Sequence, residues 1–220
     1  MTHWTAETTQ ALSSAEVSLK TVGNLLSFVN DGQGKPSAGE RAIFAAAVVF
    51  LYGTWENYVE QLAIELVGHI ANEVSAEKVP DQVRKSLEKK SAWELAIHPG
   101  WKALWIQSVR LTAVGDDDER FGMNTARAGQ VKNLLVTAGA VDPFSDFPEG
   151  VVPTHLGANA ATVPDAVNKL VELRGEIVHT GKVPSALRKY HVLEWQTFVA
   201  TVCKGVDQTV RNQCKRLSSS

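Results

Sequence analysis

Apolar residues recur at spacings of three and four along most of the chain, a pattern that predicts amphipathic helices. The first such run predicts one long helix and consists of Leu12, Ala15, Leu19, Val22, Leu26 and Val29. A second helix, over 40–74, is apolar all round at its start and amphipathic after Gly53, as expected of a central helix. No run alternates with a period of two over a useful length, so we predict an all-α fold.

Further helices are expected in the rest of the chain. Pro80 opens a charged segment that ends at Pro99 and Gly100. Three other helices are predicted: one over 101–114, one from Asn124 to about 138 with Gly139 as its stop, and one over 185–217. Residues 140–163 form a long, proline-containing irregular connection, of the kind that is often mobile or functional. The predicted architecture is a bundle of long core helices with irregular connecting loops.

The most strongly marked helix is 164–181. Thr162 and Asp165 have the spacing of a capping box, and Gly181 is a suitable C-terminal stop. Inside this helix lie Arg174 and, five residues later, His179. Five residues separate two side chains by roughly 140° around a helix axis and about 7.5 Å along it, so one regular helix does not bring them together. Joint action requires a local change of helix geometry or a second copy of the helix.

The same two residues also have a purely structural interpretation. Arg174 can extend from the edge of the core toward solvent, and His179 can complement the dipole at the helix C-terminus. Glu56 has two interpretations as well, because it follows a fully apolar stretch. It is either solvated on an outer face or paired with Arg174, in which case it holds the guanidinium in place.

Composition narrows the class of protein. The chain has 220 residues, 44% hydrophobic and 21% charged, which is ordinary for a globular protein. A net charge of −2 gives no global attraction for nucleic acid, so any RNA contact needs a local patch. Neither a signal peptide nor an apolar run of the ~20 residues that a membrane span needs is visible, so we expect a cytoplasmic protein without membrane contact. The two cysteines, Cys203 and Cys214, would lie about 16 Å apart on one helix and are expected to be unpaired packing residues.

Two charged clusters were considered as sites. A basic face after Pro80 is either a solvated helix surface or an RNA-backbone contact, and consists of Arg84, Lys85, Lys89 and Lys90. The acidic run 116–119 lacks a histidine or a spaced carboxylate, so no metal site is expected there.

Four segments together resemble the HEPN superfamily, specifically its RiboL-PSP type. They are FLYGTWENYVEQL at 50–62, VPDQVRKSL at 79–87, NTARAGQVKNLLVTAGAVDPF at 124–144 and LVELRGEIVHTG at 170–181, the last resembling the R-x4-H signature. The resemblance covers about 40–215. It implies one HEPN-like helical unit over 40–217, with 1–39 as an N-terminal helix and Gly-rich connector packed on the bundle.

The resemblance implies a metal-independent endoribonuclease without cofactor, of toxin or phage-defence type, with a possible cognate antitoxin or defence-system partner. It implies a homodimer whose two 164–181 helices face each other, with Arg174 gripping the phosphate and His179 transferring a proton, to leave 2′,3′-cyclic phosphate and 5′-hydroxyl ends. Supporting residues are expected to be Glu56, Gly175, Glu176 and Thr180. Weaker RNA contacts are expected from Arg84, Lys85, Lys89 and Lys182.

The chain departs from the family at two positions. The residue after the arginine is commonly polar, and here it is Gly175; relatives that pair with a nucleotidyltransferase have a tyrosine where this chain has Gly181. One alternative is therefore a catalytically inactive HEPN module that binds RNA or a protein partner. A second is a plain helical interaction protein, suggested by the heptad-like runs at 12–29 and 192–206.

Overall fold

The computed structural model describes residues 7–30, 34–73, 79, 81–88, 100–116, 122–145 and 147–219. These residues form seven α-helices that pack together, with no strand among them, so the predicted all-α class is confirmed. The helices are α1 (Gln10–Ser27), α2 (Ala38–Glu73), α3 (Asp81–Glu88), α4 (Trp101–Val114), α5 (Ala128–Ala138), α6 (Val163–Thr180) and α7 (Lys189–Ser219), with a 3-10 helix over Thr154–Asn159.

Helix α2 is the centre of the bundle, as its sequence predicts. It packs against α1, α4, α5, α6 and α7, and its buried residues run from Phe44 to Ala71. By length and composition alone, α2 is also apolar enough to cross a membrane. Half of its most apolar window is buried inside the bundle.

Helix α1 belongs to the same hydrophobic core. Its predicted apolar residues are all buried, with Val29 just beyond the helix end. The Thr9 side chain caps the helix by accepting the Leu12 N–H at 3.0 Å. Because α1 packs against both α2 and α7, residues 10–27 are built into the bundle.

Helix α5 begins four residues later than expected, at Ala128, so the prediction that Asn124 caps it is wrong. The backbone of Ala126 is held by α2 instead. Its N–H donates to the Tyr52 hydroxyl at 3.0 Å, and its carbonyl accepts from Trp55 Nε1 at 3.0 Å. These tertiary bonds keep the segment before α5 out of the helix. Its other end is as predicted, because Gly139 ends α5 in the left-handed conformation, at φ 115°.

Helix α7 also starts later than predicted, at Lys189 rather than Ser185. The chain forms a turn at 185–186. The Arg188 N–H, just before the helix, donates to His191 Nδ1 at 3.1 Å and so caps the helix N-terminus. Cys203 and Cys214 are both buried in α7 and are not joined in a disulfide, as expected. Burial raises the pKa of the Cys214 thiol to about 12.

Candidate functional site around Arg174

Helix α6 carries the candidate site, and its ends are those that the sequence predicts. Thr162 and Asp165 form the capping box: the Asp165 N–H donates to Thr162 Oγ1 at 3.3 Å, and the Thr162 N–H donates to Asp165 Oδ2 at 3.1 Å. Gly181 ends the helix at φ 65°. The buried face that packs on α2 and α5 consists of Val163, Ala166, Val167, Leu170, Val171 and Ile177.

The Arg174 side chain leaves α6 toward α2. Its Cζ lies 4.9 Å from the centroid of the Tyr52 ring, in a cation–π arrangement. Its Nε is buried and, among the residues that the structure describes, has no hydrogen-bond partner. A buried guanidinium nitrogen usually finds a carboxylate or a carbonyl, so Arg174 retains a donor for which the described residues supply no acceptor.

Tyr52 is almost completely buried and is fixed at its hydroxyl end. The hydroxyl donates to Glu56 Oε1 at 2.6 Å and accepts the Ala126 N–H. Burial, and then the hydrogen bond to Glu56, raise the pKa of Tyr52 to about 12. The phenol is therefore neutral at physiological pH and acts as a donor to the carboxylate.

The predicted pairing of Glu56 with Arg174 is wrong for this structure. Both residues are described, and no hydrogen bond or ion pair joins them. Tyr52 contacts both residues instead. Its hydroxyl reaches Glu56, which is one helical turn further along α2, and its ring face is turned toward Arg174. One turn further along α2, burial and then the charge of Glu56 raise the pKa of Glu60 to about 7.

His179 lies in the last turn of α6 and is exposed. Gly175 lies one turn before it, and a Cβ built there would meet only His179 Cδ2, at 4.0 Å, an ordinary contact distance. His179 is thus accessible to solvent, whereas the partly exposed Arg174 side chain lies against the Tyr52 ring.

The other two supporting residues on α6 are also exposed at its C-terminal end. The Thr180 hydroxyl donates to the Glu176 carbonyl at 2.6 Å and accepts the Lys182 N–H at 3.0 Å. These bonds lie at the C-terminal end of the helix, and through them the Thr180 hydroxyl already donates to one backbone group and accepts from another. The Glu176 side chain is exposed and remains available on this surface.

The candidate RNA-binding cations are dispersed. Lys182 is exposed just after α6, close in sequence to His179. Arg84 and Lys85 are exposed on α3, which packs against α4, and Arg84 is already paired with Asp81 at 2.9 Å. Lys89 lies outside the described residues.

Two contributions to the site were not predicted from the sequence. The first is Tyr52, for which the four-residue spacing that lets its hydroxyl reach the Glu56 carboxylate was the available signal. Asn168 on α6 accepts the Ala128 N–H at 3.1 Å and so joins the start of α5 to α6. That long-range bond has no signal in the local sequence.

Within the described residues, no group of three or more histidine, cysteine or acidic side chains could hold a metal ion. Asp116 is exposed, and the rest of the acidic run at 117–119 lies outside the described part of the chain. No family model, curated protein or solved structure matches this chain.

Proposed function

We propose that the protein is a metal-independent endoribonuclease of the R-x4-H type, as the resemblance to the HEPN superfamily implies. The observation that carries the proposal is the Arg174 guanidinium. It is held on an aromatic ring, its buried Nε has no partner among the described residues, and no ion pair joins it to Glu56. A phosphate is the natural acceptor for such a group, because its oxygens match the guanidinium fork.

His179 supplies the second element of the chemistry. RNA carries its own nucleophile, the 2′-hydroxyl. In the proposed reaction the imidazole accepts the proton from that hydroxyl, the 2′-oxygen bonds to phosphorus, and the bond from phosphorus to the 5′-oxygen breaks. The leaving 5′-oxygen takes up a proton. Arg174 offsets the charge on the phosphate oxygens in the transition state. The products are a 2′,3′-cyclic phosphate and a 5′-hydroxyl.

The proposed site is completed by a second copy of the chain. The partly exposed Arg174 side chain lies against the Tyr52 ring and His179 is exposed at the end of the same helix, so one chain presents them on different sides. The surface of α6 beside His179 carries Val178, which is 47% exposed, and Gly175, which has no side chain to obstruct an approaching helix. Two α6 helices packed antiparallel around a two-fold axis would share one cleft.

The test is cleavage of a labelled single-stranded RNA by the purified protein in EDTA. We expect strand breaks with cyclic phosphate ends, and a loss of at least 100-fold in rate for Arg174→Ala and His179→Ala. Arg110→Ala, at an exposed position on α4, is the matched control and should cleave like the parent. Cleavage that requires an added metal ion, or that survives both substitutions, contradicts the proposal.

Co-expression of the two inactive variants tests the shared cleft. A heterodimer of Arg174→Ala with His179→Ala retains one arginine and one histidine, so part of the activity should return. Activity from a strictly monomeric species in light scattering is incompatible with the dimeric site.

A second candidate function is an inactive module that binds RNA or a protein. Gly175, which lacks the polar side chain common at this position of the family, favours it. It predicts salt-sensitive RNA binding without strand breaks, unaffected by His179→Ala. A role in toxin or phage-defence systems, and a cytoplasmic location, are part of the endoribonuclease proposal.

A further inference from the structure

Arg174 and Glu56 both contact Tyr52, at different parts of its side chain. The guanidinium lies against the ring face, and the carboxylate accepts a hydrogen bond from the hydroxyl. An acid and a base that share a neighbour in a partly buried place would ordinarily pair directly, since a charge-assisted bond is stronger than one to a neutral group. In this structure they do not.

The hydroxyl of Tyr52 is the group that keeps Glu56 occupied. It donates its single proton to Glu56 Oε1, and the Ala126 N–H that it accepts fixes it from the side of the segment before α5. The ring is at the same time a platform of fixed orientation for Arg174, because Tyr52 is buried, with 2% of its surface exposed. One side chain therefore sets the position of the cation and also satisfies the nearest acid.

We propose that Tyr52 is a positioning residue for the ribonuclease site: it holds the Arg174 guanidinium on its ring and ties Glu56 through its hydroxyl, so that the cation stays free for an RNA phosphate. This inference rests on the proposed function, because it assigns a role within the same site. Tyr52 touches neither the RNA nor the reacting atoms, and acts only through Arg174.

The decisive variants separate the ring from the hydroxyl. Tyr52→Phe keeps the ring but removes the hydroxyl, which leaves the Ala126 N–H without this acceptor and releases Glu56 to pair with Arg174. We expect the Kd for a 2′-deoxy-substituted, non-cleavable RNA to rise about tenfold or more. Tyr190→Phe is the matched control, because this tyrosine is 58% exposed on α7.

The double variant Tyr52→Phe/Glu56→Gln distinguishes positioning from simple structural support. If Tyr52 acts by keeping Glu56 from pairing with Arg174, the double variant binds the RNA like the parent. If the hydroxyl only supports the fold, removing a second hydrogen-bonding group does not restore binding, and the proposal is overturned. Unchanged binding in Tyr52→Phe also overturns it.

A measurement without RNA separates this inference from the proposed function. The Nε–H resonance of Arg174, assigned by its disappearance in Arg174→Lys, should shift in Tyr52→Phe and return toward the parent value in the double variant. A parent protein that neither binds nor cleaves RNA refutes the proposed function, while this resonance still reports whether Tyr52 keeps Glu56 from Arg174. A resonance unmoved by Tyr52→Phe refutes the positioning role itself.

Discussion

A buried carboxylate, Asp207 on α7, ties that helix to the beginning of α1. Asp207 is completely buried and accepts a hydrogen bond from Arg211 Nε at 2.6 Å. It also accepts from both donors of Thr9, the backbone N–H at 3.3 Å and the hydroxyl. Since Thr9 is the N-cap of α1, the loss of Asp207 should weaken both the ion pair and the docking of the first helix.

We expect Asp207→Ala to lower the free energy of unfolding by about 3–5 kcal/mol, the usual effect of removing one partner of a buried ion pair. The Arg211 side chain is only 16% exposed, so its charge would remain in the interior without a counter-ion. Against a total of about 5–15 kcal/mol for a typical domain, this is a large fraction of the stability.

Urea denaturation followed by circular dichroism at 222 nm measures the effect. The double variant Asp207→Leu/Arg211→Met should recover only part of the loss. Apolar groups of similar volume often replace a buried ion pair without cost, but the two Thr9 donors remain without their acceptor. Glu16→Ala is the control: Glu16 pairs with Lys204 at 3.3 Å on the exposed surface, and its removal should cost less than about 1 kcal/mol. A loss for Asp207→Ala no greater than that of Glu16→Ala would refute the reasoning.

Two further predictions concern Glu60 and Gly139. The pKa of Glu60 is raised to about 7, so the folded state binds this proton more tightly than the unfolded state. The stability that results is present below about pH 4.5 and is lost as the pH rises through 7. Because the carboxyl is partly exposed, we discount the full effect to about 1–2 kcal/mol. The unfolding free energy of Glu60→Gln should fall less than that of the parent between pH 5 and pH 8, and equal falls would contradict this. Gly139→Ala should destabilise by more than about 1 kcal/mol in urea denaturation, because φ is 115° and a Cβ would stand 2.8 Å from a buried methyl group. Gly53→Ala, at an exposed helical glycine with nothing near its Cβ position, should instead stabilise by about 1 kcal/mol, and a similar loss in both variants would refute the backbone argument.

The helices could be predicted where the local sequence decides them. The apolar spacing of α1 identified its buried residues, and the capping box and terminal glycine of α6 fixed both of its ends. The starts of α5 and α7 could not be placed in the same way. Asn124 has the chemistry of a cap, but Ala126 exchanges hydrogen bonds with two side chains of α2, and such long-range bonds outweigh a local preference.

The candidate site was predictable only in its parts. The five-residue spacing correctly placed Arg174 and His179 on different sides of α6. It could not show that Arg174 meets the Tyr52 ring, since this contact depends on how α6 packs on α2. The interpretation in which Glu56 pairs with Arg174 failed for a related reason. It was inferred from their opposite charges, but the Tyr52 hydroxyl, one turn away on the same helix, binds the Glu56 carboxylate.

The two residues of the motif do not support the proposed function equally. An exposed histidine in the last turn of a helix is fully explained by its favourable interaction with the helix dipole, so His179 alone distinguishes nothing. Arg174 is different, because an arginine that only covers the edge of the core would reach solvent or a carboxylate with all its donors. Its Nε is instead buried with no acceptor among the described residues, at a cost of about 1–3 kcal/mol, and the cation–π contact offsets about 0.5–2 kcal/mol of it. A methionine or leucine would fill the same space without that cost, so the position makes better physical sense if an anion supplies the missing acceptor.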